Sequence, residues 1–184
     1  MAQSFADQIV EAARACEFDT VGTTSAQNLR AHTEVRDMCA VGKCHMYGKT
    51  WACPPGCGTI EEYQQLFDRS DTCIVVQSVG QLEDEFDFET MMETEQVHKE
   101  RFMALVDKVR AAASDQDAKA TFLSAGACVI CKECTYPDAP CRFPERRLTS
   151  MEAAGLVVSD VCTSANIPYN HGKNTIAYSS CVLI

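Results

Sequence analysis

The sequence predicts a single α/β domain over residues 1–184, with a central sheet of about four strands alternating with helices and two cysteine-rich loops. Three observations carry that expectation. Helical periodicity alternates along the chain with short apolar runs. Neither an internal repeat nor a low-complexity linker divides it. Its 184 residues, 46% of them hydrophobic, suffice for a core without covalent staples.

Taken in order, Ser4 with Asp7 three residues on forms a capping box, and the helix it opens carries Phe5, Ile9, Ala12 and Cys16 on one face. A short strand follows at 18–23. Thr59 with Glu62 forms a second box, and Ile60, Tyr63, Leu66 and Phe67 line the helix behind it. The strand at 72–79 contains an unbroken apolar run (Cys73, Ile74, Val75, Val76), which reads as burial on both faces. Between Glu83 and Glu100, eight acids meet the single Lys99, and a helix continues through His98, Phe102, Leu105, Val109 and Ala113. The acidic run reads as a solvated helix face; a docking surface for a basic partner is the sharper alternative. A strand at 120–125 leads into the second cysteine loop. Thr149 with Glu152 makes a third box before a short helix over 156–165, and the last strand runs over 175–183.

Composition excludes several functions. A net charge of −10 provides no basic footprint for nucleic acid. No run of apolar residues is long enough to span a membrane. The opening MAQSFADQIVEAARA has neither the basic nor the apolar region of a leader, so the expected location is cytoplasmic.

Cysteine is the anomaly, at 12 residues. Disulfides need an oxidising compartment, and placement points elsewhere: eight of the twelve fall within 39–57 and 128–141. The second window, Cys128-x2-Cys131-x2-Cys134-x6-Cys141, is the stronger signal. A zinc site usually draws two ligands from one knuckle and two from a distant one. Three thiols at successive spacings of three instead wrap the chain around a larger object, as in the ferredoxin run of a [4Fe–4S] cluster. The last spacing is longer here, and Asp138 to Pro140 would turn the loop so that Cys141 closes the site. Gly126 and Ala127 allow close approach of the backbone to a cluster.

The first window is Cys39-x4-Cys44-x8-Cys53-x3-Cys57, stiffened by Gly42, Gly48, Gly56 and Pro54-Pro55. It also reads as a cluster site, with zinc the alternative because the cysteines pair like two knuckles. His45 beside Cys44 is read as an exposed loop residue. Cys16 and Cys73 sit in apolar helix and strand patterns and read as core; Cys162 and Cys181 read as core too, with completion of a cluster in place of Cys57 the alternative.

The segments from Cys39 to Pro55, Phe122 to Pro144 and Ser150 to Cys162, with the closing NTIAYSSCVLI, resemble an uncharacterised family of predicted metal-binding proteins, domain of unknown function 2284. The resemblance implies a cysteine-rich, cluster-binding protein of bacteria and archaea, many of them anaerobes. It supplies no reaction. Its motif carries over to Cys39, Cys44, Cys53, Cys128, Cys131, Cys134 and Cys141, whereas Cys57 enters the set on spacing alone.

The expected function is therefore one-electron transfer by two iron–sulfur clusters, with a redox enzyme as partner. If Cys57 does not ligate, the first cluster keeps an open iron, and an enzyme or small-molecule sensor becomes the alternative. A zinc-stabilised interaction module is the third reading. Arg142, Arg146 and Arg147 either favour the reduced cluster or form surface ion pairs. Trp51 and Tyr47 would shield the metal from solvent. Glu152 is read as a capping residue, and His171, Gly172 and Lys173 as a polar turn. No phosphate loop or dinucleotide fingerprint is present.

Overall fold

Ser4 caps the first helix as its spacing predicts. Its Oγ accepts from the Asp7 amide at 3.2 Å, and the Asp7 carboxylate accepts from the Ser4 amide at 3.3 Å, opening α1 (Phe5–Ala15). The computed structural model describes residues 3–41, 44–115 and 119–184, so Gly42 lies outside the described residues. After α1 come β1 (Thr20–Ser25), a 3-10 turn (Ala26–Asn28) and α2 (Thr33–Ala40). Thr59 and Glu62 form the second capping box, at 3.2 and 2.7 Å, and open α3 (Ile60–Asp68). The rest is β2 (Thr72–Gln81), α4 (Phe88–Asp115), β3 (Thr121–Ser124), β4 (Thr149–Ser150), α5 (Val158–Ser164) and β5 (Thr175–Leu183).

The strands make one open five-stranded sheet in the order β1-β2-β5-β3-β4. All neighbours are antiparallel except β3 and β4, which run parallel. β2 is buried on both faces because it lies between β1 and β5 and beneath helices on both sides. Alternation divides the core in two. Cys73, Val75, Leu123, Cys181 and Leu183 face Leu66, Phe67, Met151 and Val161, while Ile74, Val76, Phe122 and Val182 face Ile9, Phe102, Leu105 and Val109. The four cysteines read as core are all buried. Among them, Cys73 and Cys181 sit on adjacent strands, and Cys162 touches Ser179 at 3.5 Å.

His98 takes its place on the inner face of α4, fully buried between Ser78 (3.0 Å) and Ser180 (2.8 Å). Ser180 Oγ also accepts from the Ala125 amide at 2.9 Å, tying this network to the start of the second cysteine loop. The acidic run is a solvated face: only Asp87 and Glu95 of its acids are half-buried.

One sequence expectation is corrected. Thr149 does not cap a helix: it sits in β4, α5 begins at Val158, and Ser150 Oγ accepts from the Ala153 amide at 3.1 Å in the intervening turn. The expected sheet of about four strands is present with five, the additional one being β4, whose two residues leave no alternation to read. The chain ahead of Cys39, for which the sequence carries no expectation, forms α2; this helix buries none of its residues and so shows no apolar period.

Candidate metal centre

The second cysteine loop leaves the end of β3 and returns in β4, so the parallel pair Leu123–Thr149 holds its two ends side by side. Within it, the Ala139 amide donates to the Thr135 carbonyl at 3.0 Å, Thr135 Oγ1 donates to the Pro140 carbonyl at 2.8 Å, and Arg142 donates to the Glu133 carbonyl at 2.8 Å. The turn at 136–139 brings Cys141 back to the others. Cys128, Cys131, Cys134 and Cys141 line one cavity, walled by Trp51, Ile130, Phe143 and Arg147. Thr50 lines it too; its side chain is 5% exposed, and Oγ1 has no hydrogen-bond partner.

The first loop follows α2. Cys39, Cys44 and Cys53 line the first loop's own cavity, of about 430 Å³, together with Tyr47, Glu152 and the Lys99–Glu95 ion pair of α4. Cys57 is not in its lining. A helical turn, closed by the Cys57 amide on the Cys53 carbonyl at 3.1 Å, carries its sulfur to Arg36 Nη2 at 3.7 Å and the Ala153 carbonyl at 4.0 Å.

The two loops interlock. Trp51 Nε1 donates to the Ala139 carbonyl at 3.0 Å, and its ring meets Tyr136 edge-on at 4.9 Å. Gly56 permits the contact, since a Cβ there would stand 2.6 Å from the Thr50 carbonyl and 2.8 Å from the Tyr136 ring. Gly126, at φ +64°, brings the backbone against Glu95 and Lys99.

Electrostatics register the same geometry. Burial pushes the Cys39 thiol up, the Cys44 and Cys53 thiols and the Glu152 carboxylate add to it, and the Arg36 guanidinium opposes. Burial also raises Cys53, the Thr50 hydroxyl opposes it, and Cys44, Cys57 and Cys128 add to it. Burial raises Cys57 against the pull of Arg36. A bound metal reverses this, because it takes the thiolate.

Thiolates suit soft metals and iron–sulfur clusters, and an unpartnered buried hydroxyl beside four of them suits a sulfur-ligated group. Among the described residues, no three His, Cys, Asp or Glu side chains form a group that could hold one metal ion. The thiols stand around cavities instead. The first has room for a cluster as it stands, whereas the second encloses about 30 Å³ between its four thiols and their walls.

A family model described as predicted metal-binding protein, DUF2284, matches residues 23–184. The chain belongs to that family. No curated protein and no solved structure matches it. Metal binding is thus the family's predicted property, and the match takes in both cysteine loops.

Other candidates fall out simply. His45 is exposed at φ +54°. Tyr47 and Trp51 line the first and second cavities respectively. Of the three arginines, Arg147 alone lines the second cavity. His171 bonds Gln77 at 2.6 Å and belongs to the fold. Sequence reasoning missed Arg36, which stacks on Tyr63 at 5.6 Å and donates to the Ala153 carbonyl at 3.0 Å through Nε. Its spacing of three from Cys39 was the available signal, unread without α2. It also missed Thr50, for which no pattern exists.

Proposed function

We propose that this chain binds two iron–sulfur clusters, [4Fe–4S] in type, and carries single electrons between a reductant and a redox enzyme. The observation that carries the reading is that Cys128, Cys131, Cys134 and Cys141 line one cavity, with Cys53 of the other set within electrostatic reach of Cys128. Bound there, a cluster supplies a one-electron couple. Thiols on a single zinc lie about 2.3 Å from the metal and therefore crowd together; the thiols of the first loop line a cavity of about 430 Å³, which supports the larger group there.

The chain's own residues then set the conditions. Ile130, Phe143 and Trp51 keep water from the second centre, Arg147 offers countercharge, and the Thr50 hydroxyl donates toward sulfur. Val129, 62% exposed beside Cys128, and Met92, 70% exposed on the acidic α4, line one shallow groove with Glu95 and Glu100. A redox partner with basic residues around an apolar centre matches it. The 430 Å³ cavity favours a second reading, a cluster enzyme or small-molecule sensor.

Reductive titration of the anaerobically reconstituted full chain tests the electron-transfer reading. Two centres that each take one electron, with electron paramagnetic resonance signals broadened by mutual coupling, are the expected result. A metal-loaded protein that takes up no electrons from dithionite contradicts it.

A further inference from the structure

The first cavity presents three thiols and one carboxylate. Cys39, Cys44 and Cys53 line it, and so does Glu152, whose charge acts on Cys39. Glu152 has lost the capping role its spacing implied, and among the described residues its carboxylate makes no hydrogen bond or ion pair. Its backbone is nevertheless fixed: the Met151 amide donates to the Ser124 carbonyl at 3.0 Å, and the Gly155 amide donates to the Glu152 carbonyl at 2.9 Å. Glu152 is exposed to the cavity's solvent side, and its carboxylate shares the lining with three thiols, so the four together offer a donor set to a group that fills the space between them. Cys57 is not in the cavity's lining; its sulfur meets the Arg36 guanidinium and the Ala153 carbonyl.

We propose that Glu152, not Cys57, completes the first metal centre with Cys39, Cys44 and Cys53. The proposal rests on the reading that these thiols hold a metal group. A carboxylate is a harder and less firmly held partner for iron than a thiolate. This corner is therefore where the centre exchanges its ligand for an exogenous small donor, the Lys99 ammonium on the cavity wall being already paired with Glu95. Cys57 acts instead as the half-buried partner of Arg36, steadying the turn that presents Cys53.

The test uses the full chain reconstituted anaerobically with iron-57 and sulfide, with metal and sulfide analysis first. Mössbauer spectra of the unaltered protein should then resolve one iron with an oxygen donor, and cyanide should shift that signal alone. Cys57→Ala and Cys57→Ser should keep both the iron content and that signal. Glu152→Ala should lose the signal, and Glu152→Cys should convert it to an all-sulfur environment. An unaltered protein with every iron in all-sulfur coordination overturns the proposal without recourse to variants. So does the loss of one cluster's iron from both Cys57 variants while Glu152→Ala keeps the original spectrum. If analysis returns zinc without sulfide, the cluster reading falls, and the ligand assignment is judged by zinc retention. Loss beyond the roughly 10–100-fold expected of an outer-shell residue in Glu152→Ala, with Cys57→Ser unchanged, upholds it, and the reverse overturns it.

Discussion

The indole Nε1 of Trp51, in the first cysteine loop, donates to the Ala139 carbonyl, in the second, at 3.0 Å. This bond, with the edge-on Tyr136 ring, makes one unit of two loops that lie far apart in sequence. Trp51→Phe keeps the ring contact and loses the bond. It should cost about 0.5–1.5 kcal/mol in denaturant unfolding, the net worth of one hydrogen bond. Trp51 is also the chain's single tryptophan, so its emission should fall when iron and sulfide are restored; unchanged emission would place the chromophore elsewhere.

Gly56 makes a steric prediction. A methyl group there has no room between the Thr50 carbonyl and the Tyr136 ring. Gly56→Ala should destabilise the chain by about 1–3 kcal/mol, as overpacking does, and should lower metal retention by both loops. A melting temperature and metal content equal to those of the unaltered chain would show that the loops do not depend on this contact.

Thr50 should behave differently in the two states of the protein. Without metal, Thr50→Val replaces an unpartnered buried hydroxyl by a methyl group and should be neutral or stabilising by about 1 kcal/mol. With the centre loaded, the same change removes a donor to sulfur and should make the couple more negative. A potential that does not move would show that the hydroxyl has no role at the centre.

His98 makes the stability of the fold depend on pH. Burial holds its imidazole neutral and lowers its pKa from 6.5 to about 3. The unfolded chain therefore binds a proton that the folded chain refuses between those values. Above pH 6.5 the histidine contributes no slope; as pH falls from 6.5 towards 3, stability drops by up to about 1.4 kcal/mol per unit from this group. His98→Gln lacks that loss. The variant is less stable near neutrality, where it gives up the Ser78 and Ser180 bonds, and the gap to the unaltered chain narrows on acidification. A gap that stays constant across that range contradicts the assignment.

Much of the fold was legible because local chemistry and tertiary packing agree. Ser4 and Thr59 cap where their partners three residues on say they should, and the strand over 175–183 coincides with β5 because its residues are pinned between two neighbours. The same pattern misled at Thr149 and Glu152, because β3 captures Thr149 into a parallel pair before a helix can start. α2 was unreadable for the opposite reason: it buries no side chain and leaves no period. At the candidate centre, the spacing of the cysteines made the thiols visible. Arg36, Thr50 and Glu152 matter through positions that only the meeting of the two loops creates.

Iron and acid-labile sulfide analysis of the anaerobically purified full chain, read with its visible spectrum, is the most direct test of the central claim. Two cubanes' worth of iron and of sulfide per chain, with a broad band at about 400 nm that bleaches on reduction, is the predicted result. A colourless chain that carries zinc and no sulfide would contradict it.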